Sequence, residues 1–476
     1  MVKLVIFFVL LITYIIFFFM NRKKALLLLF LIKLPLDQVA WNINIPVGFI
    51  PLRASEALIV FITILILTTF MLDKNSESER KGFFRNIPSM LIIPISIFMM
   101  IFFIKILRGG LWVLSLQQFF KLITGIVVGT FVAKTFNTEE DINGLVKCML
   151  FSTIIISIFS IPAIYSGGGL KIYAPSAGDQ YAGTYLSGGV GRYQSATSFV
   201  DAFIVNVPAI LFASTVLRSK WYKTLCLLTI IFIIVAAFVA ASRAGWLSVA
   251  ITLVTWMIIK RRWKLLIISA SCVLIVATAQ VFSNPLQRAY QKIAYDSESL
   301  GKGELPDNSF GGRPLTWKVY MATYMAAPML DKLIGSDRMF NSGFNAMKGH
   351  DPHNDFINIL IRMGIVGLVT ILFLYLVTMM YLLKMAFRTK DIYDWNIVFT
   401  AILAFITMMI PSFARTGLMN PNFEWVFWTF TMLALKRYML STDIEYQSEE
   451  YRDINEESEN IASAKIRVFE PKDGNP

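Results

Sequence analysis

The sequence is dominated by apolar runs of about 20 residues, the length needed to cross the hydrocarbon core of a membrane. Hydrophobic residues make up 56% of the 476 residues, and only 16% are charged. Backbone polar groups in lipid must be satisfied by helices or by a closed barrel, and continuous rather than alternating hydrophobicity favours helices. We therefore predict an all-α fold, a polytopic membrane helix bundle of about 13 transmembrane helices with one large extracytoplasmic loop.

The predicted spans also define the domain organisation. Residues 1–282 contain transmembrane helices 1–10, 283–358 form the extracytoplasmic loop, 359–437 contain helices 11–13, and 438–476 form an acidic cytoplasmic tail. The loop is long for a connection, which favours a functional role. The tail lacks a core-forming pattern and is expected to be disordered. The spans are 3–20, 24–40, 55–72, 87–106, 111–133, 143–164, 197–216, 222–241, 245–259, 264–282, 359–383, 395–413 and 422–437.

Basic clusters in alternate connections orient the bundle. The positive-inside rule places these connections in the cytoplasm, so the N-terminus is predicted to lie outside and the C-terminus inside. The net charge of +13 therefore indicates membrane orientation rather than nucleic-acid binding, which would need a basic soluble face. The three cysteines fall within apolar runs and are interpreted as small core residues. The basic clusters lie at 21–24, 74–85, 218–220, 260–262, 384–388 and 436–437.

The two histidines of the chain, His350 and His353, end its longest polar segment and precede a span. Asp351 suits a helix N-cap and Pro352 suits the first helical position, which predicts that His353 lies in the first helical turn. The positive end of the helix dipole disfavours imidazolium there. His353 is therefore expected to stay neutral and able to accept a proton, and the same helix start favours a bound anion.

A longer pattern surrounds His353. His353-Asn354 is followed by Gly364 and Gly367 at the spacing H-N-x9-G-x-x-G. The two glycines are predicted to share one helix face, where small residues allow a neighbouring helix to approach closely. The pattern resembles the signature of the O-antigen ligase and polysaccharide repeat-unit polymerase (Wzy-type) superfamily, whose members join lipid-linked sugar chains on the outer face of a bacterial inner membrane.

Arginine motifs extend this resemblance over about residues 190 to 370. The predicted topology places their arginines and His353 on the same outer side of the membrane. The motif around Arg192 matches more loosely, because a Gln-Ser-Ala-Thr-Ser segment replaces the turn that usually follows it in the family. The motifs are Ser242-Arg243-Ala244-Gly245-Trp246, Gly311-Gly312-Arg313-Pro314-Leu315-Thr316-Trp317 and Gly191-Arg192-Tyr193.

The resemblance implies a GT-C-like glycosyltransferase that inverts the anomeric centre of a polyprenyl-pyrophosphate-linked glycan. His353 would take the proton of the acceptor hydroxyl as general base, and Asn354 would orient the substrate or His353. Arg243, Arg313 and Arg192 would bind the pyrophosphate, because guanidinium holds phosphate oxygens in a bidentate fork and stays charged. The sequence shows no Asp, Glu, Cys and His cluster with metal-ligand spacing, so neither a metal nor a cofactor is expected.

Simpler interpretations remain for each of these residues. His353 could be an interfacial polar residue at a helix start, Arg243 could extend its side chain to the membrane surface, and Arg313 could pair within the loop. Arginines in loops, such as Arg192, are common on any surface.

Three activities fit a chain of this kind. A polymerase would extend a lipid-linked chain, a ligase would transfer it to a lipid A core or another acceptor, and a lipid-linked oligosaccharide flippase would need charged residues along a central path. We favour the polymerase, because no added periplasmic domain is present to recruit a protein acceptor. The expected location is the bacterial inner membrane. The expected partners are lipid-linked donor and acceptor glycans and membrane lipids, with a chain-length regulator or flippase as candidate protein partners, and no nucleic acid.

Overall fold

The computed structural model describes most of the chain. The described residues are 2–39, 44–47, 50–72, 89–107, 112–165, 170–171, 185–188, 191–193, 201–239, 243–264, 267, 313–347, 352–414, 417–418 and 420–441.

Helices dominate this part of the chain. The helices of the first half are α1 (Val2–Met20), α2 (Arg22–Val39), α3 (Ala54–Leu72), α4 (Ser89–Leu107), α5 (Trp112–Thr135), α6 (Glu139–Tyr165), α7 (Val207–Val216), α8 (Lys220–Val239) and α9 (Arg243–Ile259). Those of the second half are α10 (Arg313–Ala326), α11 (Met329–Ile334), α12 (Asp337–Ala346), α13 (Asp355–Arg388), α14 (Ile392–Ala414) and α15 (421–441).

Five short strands accompany the helices in the described part of the chain. The hairpin of β1 (Asn44–Val47) and β2 (Ile50–Arg53) precedes α3, and a three-stranded antiparallel sheet contains β3 (Leu170–Lys171), β4 (Tyr185–Gly188) and β5 (Gly191–Tyr193). The sequence prediction included neither. Both occur at the ends of helices, where a strand pair can satisfy its own backbone groups outside the lipid. The helical class of the fold is confirmed, with these two small additions.

The predicted spans fall mainly on helices in the part of the chain that the structure describes. Each of the thirteen except 264–282 falls on a helical segment, and that one lies almost entirely outside the described residues. By length and composition, 4 described helical segments can cross a membrane: Glu139–Ile158, Lys220–Ala237, Asp355–Arg388 and Ile392–Ser412. Shorter apolar helical segments lie in α1, α3, α4, α5, α7 and α9. The chain is therefore an integral membrane protein with several membrane-spanning helices, and the count of about thirteen stays a prediction.

Polar contacts gather the predicted cytoplasmic ends of the helices at one end of the bundle. The starts of α2, α6 and α14 meet the ends of α5, α9 and α15. Basic residues from three of the predicted cytoplasmic clusters, 21–24, 260–262 and 436–437, thus lie at the same end of the bundle. Which side of the membrane this end faces stays a prediction. The contacts join Lys23 to Asp141 (2.8 Å), Tyr393 to Asn143 (3.1 Å), Arg437 to Asp394 (2.6 Å), Lys260 to Asn396, and Lys436 to Asn137.

The predicted sidedness can be tested with two introduced thiols. Ser342 on α12 and Arg388 at the end of α13 are both exposed and belong to opposite ends of the bundle. We expect a membrane-impermeant maleimide added to intact cells or spheroplasts to label Ser342→Cys and to leave Arg388→Cys unlabelled until the membrane is permeabilised. The opposite labelling pattern would invert the topology, and equal labelling of both positions would contradict the bundle orientation altogether.

Helix α13, the longest of the described helices, is interrupted at Gly364. This residue has φ 69° and ψ −175°, which is not a helical conformation. The break frees two backbone carbonyls: Ile361 O accepts a hydrogen bond from Ser336 N (3.1 Å), and Arg362 O accepts one from Lys105 Nζ (2.6 Å). Buried carbonyls need such partners, so the break is built into the packing between α4, α13 and the α11–α12 connection.

The break corrects the prediction for Gly364 and Gly367. They do not share the face of one continuous helix, because the chain turns at the first of them. A Cβ on Gly364 would lie 2.2 Å from Leu333 O, whereas a Cβ on Gly367 would lie 2.4 Å from the Cβ of Met363, across the break. Gly335, also at positive φ (77°), approaches from the other side, and its Cβ would lie 2.2 Å from Arg362 O. Gly364 thus does allow close approach, but it lets the backbone of α11 approach the backbone of α13 at the break, rather than letting two helix faces pack.

Candidate active site

His353 lies in the turn that leads into α13. Its side chain is exposed and its φ is 48°. The helix begins one residue after Asn354, which is the N-cap: its Oδ1 accepts a hydrogen bond from Ile357 N (3.1 Å). The prediction that Asp351 caps the helix, with Pro352 and His353 inside its first turn, is therefore wrong. Asp351 itself lies outside the described residues.

The residues that follow His353 anchor this turn to the end of α14. Asn354 Nδ2 donates to Phe413 O (3.0 Å), and the rings of Phe356 and Phe413 are 4.8 Å apart. Asp355 is fully buried, and its Oδ2 accepts hydrogen bonds from the backbone N–H groups of Gly417 and Leu418, both at 2.7 Å. A buried carboxylate held by two backbone donors fixes the helix start. His353 is thus presented on a rigid support.

The arginine-to-tryptophan motif reaches the same turn. Trp317 Nε1 donates to Pro352 O (2.7 Å), the residue immediately before His353. Arg313 is the first residue of α10, one helical turn before Trp317, and positions four apart lie on the same side of a helix. The structure therefore brings the start of α10 and the His353 turn together, and a shared site stays a prediction.

Replacing Trp317 with phenylalanine removes the donor and keeps most of the ring. Losing one such hydrogen bond costs about 0.5–1.5 kcal/mol, which corresponds to a roughly two- to tenfold lower transfer rate if the bond holds His353 in place. Steady-state kinetics on purified protein would measure this change. Trp221→Phe is the matched control, because that tryptophan is 66% exposed at the other end of the bundle. Equal rates in Trp317→Phe and the control would show that this bond does not position the site.

Arg243 begins α9, at the same end of the bundle. Helices α9 and α14 run antiparallel, with Ser248 Oγ donating to Thr407 O (3.0 Å) and Lys260 bonded to Asn396 at the other end. Moving five residues back along α9 and six forward along α14 covers about 7.5 and 9 Å. Arg243 therefore starts its helix at the level of Phe413, the residue that is bonded to Asn354.

Arg192 has a different neighbourhood. It lies in β5, opposite Ser187 of β4. Strand β5 packs against α2 and β4 packs against α6, whereas the His353 turn packs against α10 and the end of α14. The contacts of the described residues thus link the backbones of Arg313 and Arg243 to the His353 turn more directly than that of Arg192.

A buried ionic cluster lies beneath the site and was missed by sequence reasoning. Lys105 Nζ lies 3.5 Å from Asp337 Oδ1, and Arg362 Nη1 lies 4.0 Å from the same oxygen. Arg362 also bonds Asn358 Oδ1 through Nε (2.8 Å) and stacks 3.4 Å over the ring of Phe340. Buried charges need such partners. The cluster ties α12, and with it the three-helix segment α10–α12, to the membrane helices α4 and α13.

Three helices, α10, α11 and α12, were not predicted within the polar segment 283–358. Among the described residues, no group of three or more His, Cys, Asp and Glu side chains could hold a metal ion. The expectation of a metal-free reaction stays a prediction.

The fold and the site together define a class: an integral membrane protein with several spanning helices and a polar site, built around an exposed histidine, at one end of the bundle. Residues 228–372 match the family Wzy_C, described as O-Antigen ligase. That range contains Arg243, Arg313 and the H-N-x9-G-x-x-G pattern, so these residues form an O-antigen ligase family domain. This domain is that of an O-antigen ligase family glycosyltransferase, and the resemblance inferred from the motifs is confirmed over these residues.

Other comparisons add little to this assignment. No curated protein matches the chain. A chain from a solved structure described as "Structural coordination of polymerization and crosslinking by a peptidoglycan synthase complex" is similar, with 14% sequence identity over 74% of this chain and 97% of that chain and a TM-score of 0.40. At this TM-score the likeness supports no conclusion about function.

Proposed function

We propose that this protein is a polysaccharide polymerase, which joins polyprenyl-pyrophosphate-linked oligosaccharide repeat units at the outer face of a bacterial inner membrane. The observation that carries the proposal is the anchoring of one exposed histidine, His353, between α10 and α14. Trp317 donates a hydrogen bond to the residue before it, Pro352. The two residues after it, Asn354 and Asp355, are bonded to the backbone of Phe413 and Gly417. A general base must be accessible to its substrate and fixed in orientation, and this arrangement satisfies both requirements.

The chemistry assigned to the site is inverting glycosyl transfer. The acceptor hydroxyl attacks the anomeric carbon of the donor, and its proton moves to His353. The bond between that carbon and the pyrophosphate oxygen breaks, and polyprenyl pyrophosphate leaves with the bonding electrons. Arg243 and Arg313 are assigned to the pyrophosphate, where fixed positive charge stabilises the charge that develops during departure. Arg192 is a weaker third candidate for the same role.

Asn354 is assigned a positioning role. Its amide oxygen and nitrogen are both engaged within the fold, as the helix cap and as the donor to Phe413 O. This favours orientation of the His353 turn over direct contact with substrate, the other role considered for it.

The arginine assignment can be tested by changing the shape of the cation while keeping its charge. Arg313→Lys and Arg243→Lys are expected to lower the transfer rate strongly, because lysine cannot form the planar bidentate fork of guanidinium. Arg218→Lys, at the opposite end of the bundle between α7 and α8, is a matched control with no expected effect. The measurement is the transfer rate of purified protein on a lipid-linked repeat unit, with and without EDTA.

Two results would argue against this site. Wild-type rates in both lysine variants would show that the two arginines do not bind the pyrophosphate through a bidentate fork. Complete loss of activity in EDTA, restored by magnesium or manganese, would indicate a metal-dependent transferase instead.

The acceptor distinguishes a polymerase from a ligase. Given a lipid-linked repeat unit as both donor and acceptor, a polymerase lengthens the chain in defined steps, whereas a ligase leaves it unchanged until a lipid A core or another acceptor is supplied. A flippase produces neither product and moves the lipid-linked glycan between leaflets of a vesicle. Reconstitution with each acceptor in turn therefore separates the three activities, and the absence of any glycosidic product with every acceptor would exclude the proposal.

A further inference from the structure

Helix α10 and the first turn of α11 expose an apolar surface away from the His353 turn. Met325, Met329 and Leu330 are 66%, 69% and 51% exposed, and Ala322, Ala326 and Pro328 beside them are also exposed. We call these six residues the 322–330 face. Their spacing follows one side of α10 and continues into α11. The opposite side of α10 is buried through Tyr320, which packs on Phe340 with ring centroids 5.8 Å apart.

The 322–330 face lies at the depth where the membrane helices end. Leu333, at the end of α11, contacts Gly364, and the adjoining Arg362 carbonyl is bonded to Lys105. Lys105 lies in the last turn of α4, at the end of a predicted span. Helix α11 therefore packs against α13 near the ends of the predicted spans, where we expect the boundary between the hydrocarbon core and the headgroups.

The membrane-spanning part of α13, against which α11 packs, also exposes apolar side chains. Just beyond Gly364, Ile365 and Val369 are 39% and 56% exposed, as expected for residues that contact lipid. Polar exposed residues bound the face on its other sides: Lys318 one turn earlier on α10, and Ser342 on α12. Methionine and leucine in a patch bordered by polar groups at this depth are typical of an interfacial helix.

We propose that the 322–330 face inserts into the leaflet on the site side of the bundle and contacts lipid acyl chains beneath the headgroups. Helix α10 then has two functions, because its start carries Arg313 and its first turns bond the His353 turn through Trp317. Insertion of its other end fixes the height of those residues above the bilayer, at the level where the pyrophosphate of a lipid-linked substrate lies. The membrane contact itself does not depend on the role of His353.

Site-directed spin labelling in nanodiscs tests this contact. Nitroxide labels are attached to Met325→Cys on α10 and Met329→Cys on α11. The matched controls are Lys318→Cys on α10 and Ser342→Cys on α12. The background replaces the three native cysteines, Cys148, Cys226 and Cys272, with serine. The measured quantity is the ratio of collision rates with oxygen, which concentrates in lipid, and with a water-soluble nickel chelate.

We expect a severalfold higher oxygen-to-nickel ratio at 325 and 329 than at 318 and 342, rising from residue 318 through the end of α10 to residue 329 at the start of α11. If Met329→Cys is poorly folded, Leu330→Cys takes its place on the same face. Ratios at 325 and 329 equal to those of the controls would place the face in water and overturn the proposal. Low collision rates with both reagents would show that protein covers the face, either another segment of this chain or a second copy, and would overturn it as well.

Discussion

Replacing His353 with asparagine is expected to lower the rate of glycosyl transfer by about 10²–10⁴-fold, the usual contribution of a general base. The side chain is exposed, so its removal leaves no core cavity. Asparagine tests the side chain with less disturbance of the backbone, because His353 has a positive φ of 48°, which asparagine tolerates better than alanine. His353→Ala should lose the same activity with an added small loss of stability.

The test separates chemistry from binding. The rate of chain lengthening is measured together with the affinity for the lipid-linked donor and the thermal stability of the purified protein. We expect the affinity and stability of His353→Asn to stay near wild type while the turnover number falls. His350→Ala, three residues earlier in the same segment, is the matched control and should retain turnover. If His353→Asn keeps the wild-type turnover number, or if only His350→Ala loses turnover, His353 is not the general base.

The membrane helices could be predicted because lipid leaves the backbone few alternatives. A continuous apolar run must satisfy its N–H and C=O groups internally, so its length and composition determine a helix without reference to the rest of the chain. This is why described predicted spans such as 143–164 and 395–413 coincide with helices. The motif that led to the family is also local, since His353, Asn354, Gly364 and Gly367 lie on one continuous segment.

The start of α13 could not be predicted in the same way. Asp351 and Asn354 are both suitable N-caps, and local propensity does not choose between them. The outcome depends on partners about sixty residues further along the chain, Phe413 O and the N–H groups of Gly417 and Leu418. The buried cluster of Lys105, Asp337 and Arg362 has the same origin, because its members belong to segments separated by up to 257 residues.

Gly364 shows how a correct motif can carry a wrong structural interpretation. Two glycines three residues apart in an apolar segment usually allow close helix packing. The break in α13 instead depends on Gly335, which has no visible relation to Gly364 in the sequence but fills the space beside it. Only the meeting of the two positive-φ glycines, with Ser336 and Lys105 bonded to the freed carbonyls, makes the break stable.

Replacing Gly364 with alanine is therefore expected to lower the free energy of unfolding by about 3 kcal/mol or more. A φ of 69° with a ψ of −175° is essentially restricted to glycine. The added Cβ would also lie 2.2 Å from Leu333 O and 2.5 Å from Ile334 N. Both are backbone atoms that cannot turn aside, so α11 must move away from α13.

Gly144→Ala is the matched control for this prediction. Gly144 lies within α6 at an ordinary helical position, where an added Cβ would meet the side chain of Leu27 at 3.6 Å, a normal van der Waals distance. Alanine there should stabilise the helix by about 0.5–1 kcal/mol. Thermal unfolding of both purified variants in the same nanodiscs should thus shift in opposite directions. Helix α11 belongs to the same three-helix segment as Trp317. Gly364→Ala should therefore also slow glycosyl transfer, even at temperatures at which the variant is still folded. A Gly364→Ala protein as stable and as active as Gly144→Ala would mean that the break in α13 neither holds α11 nor supports the His353 turn.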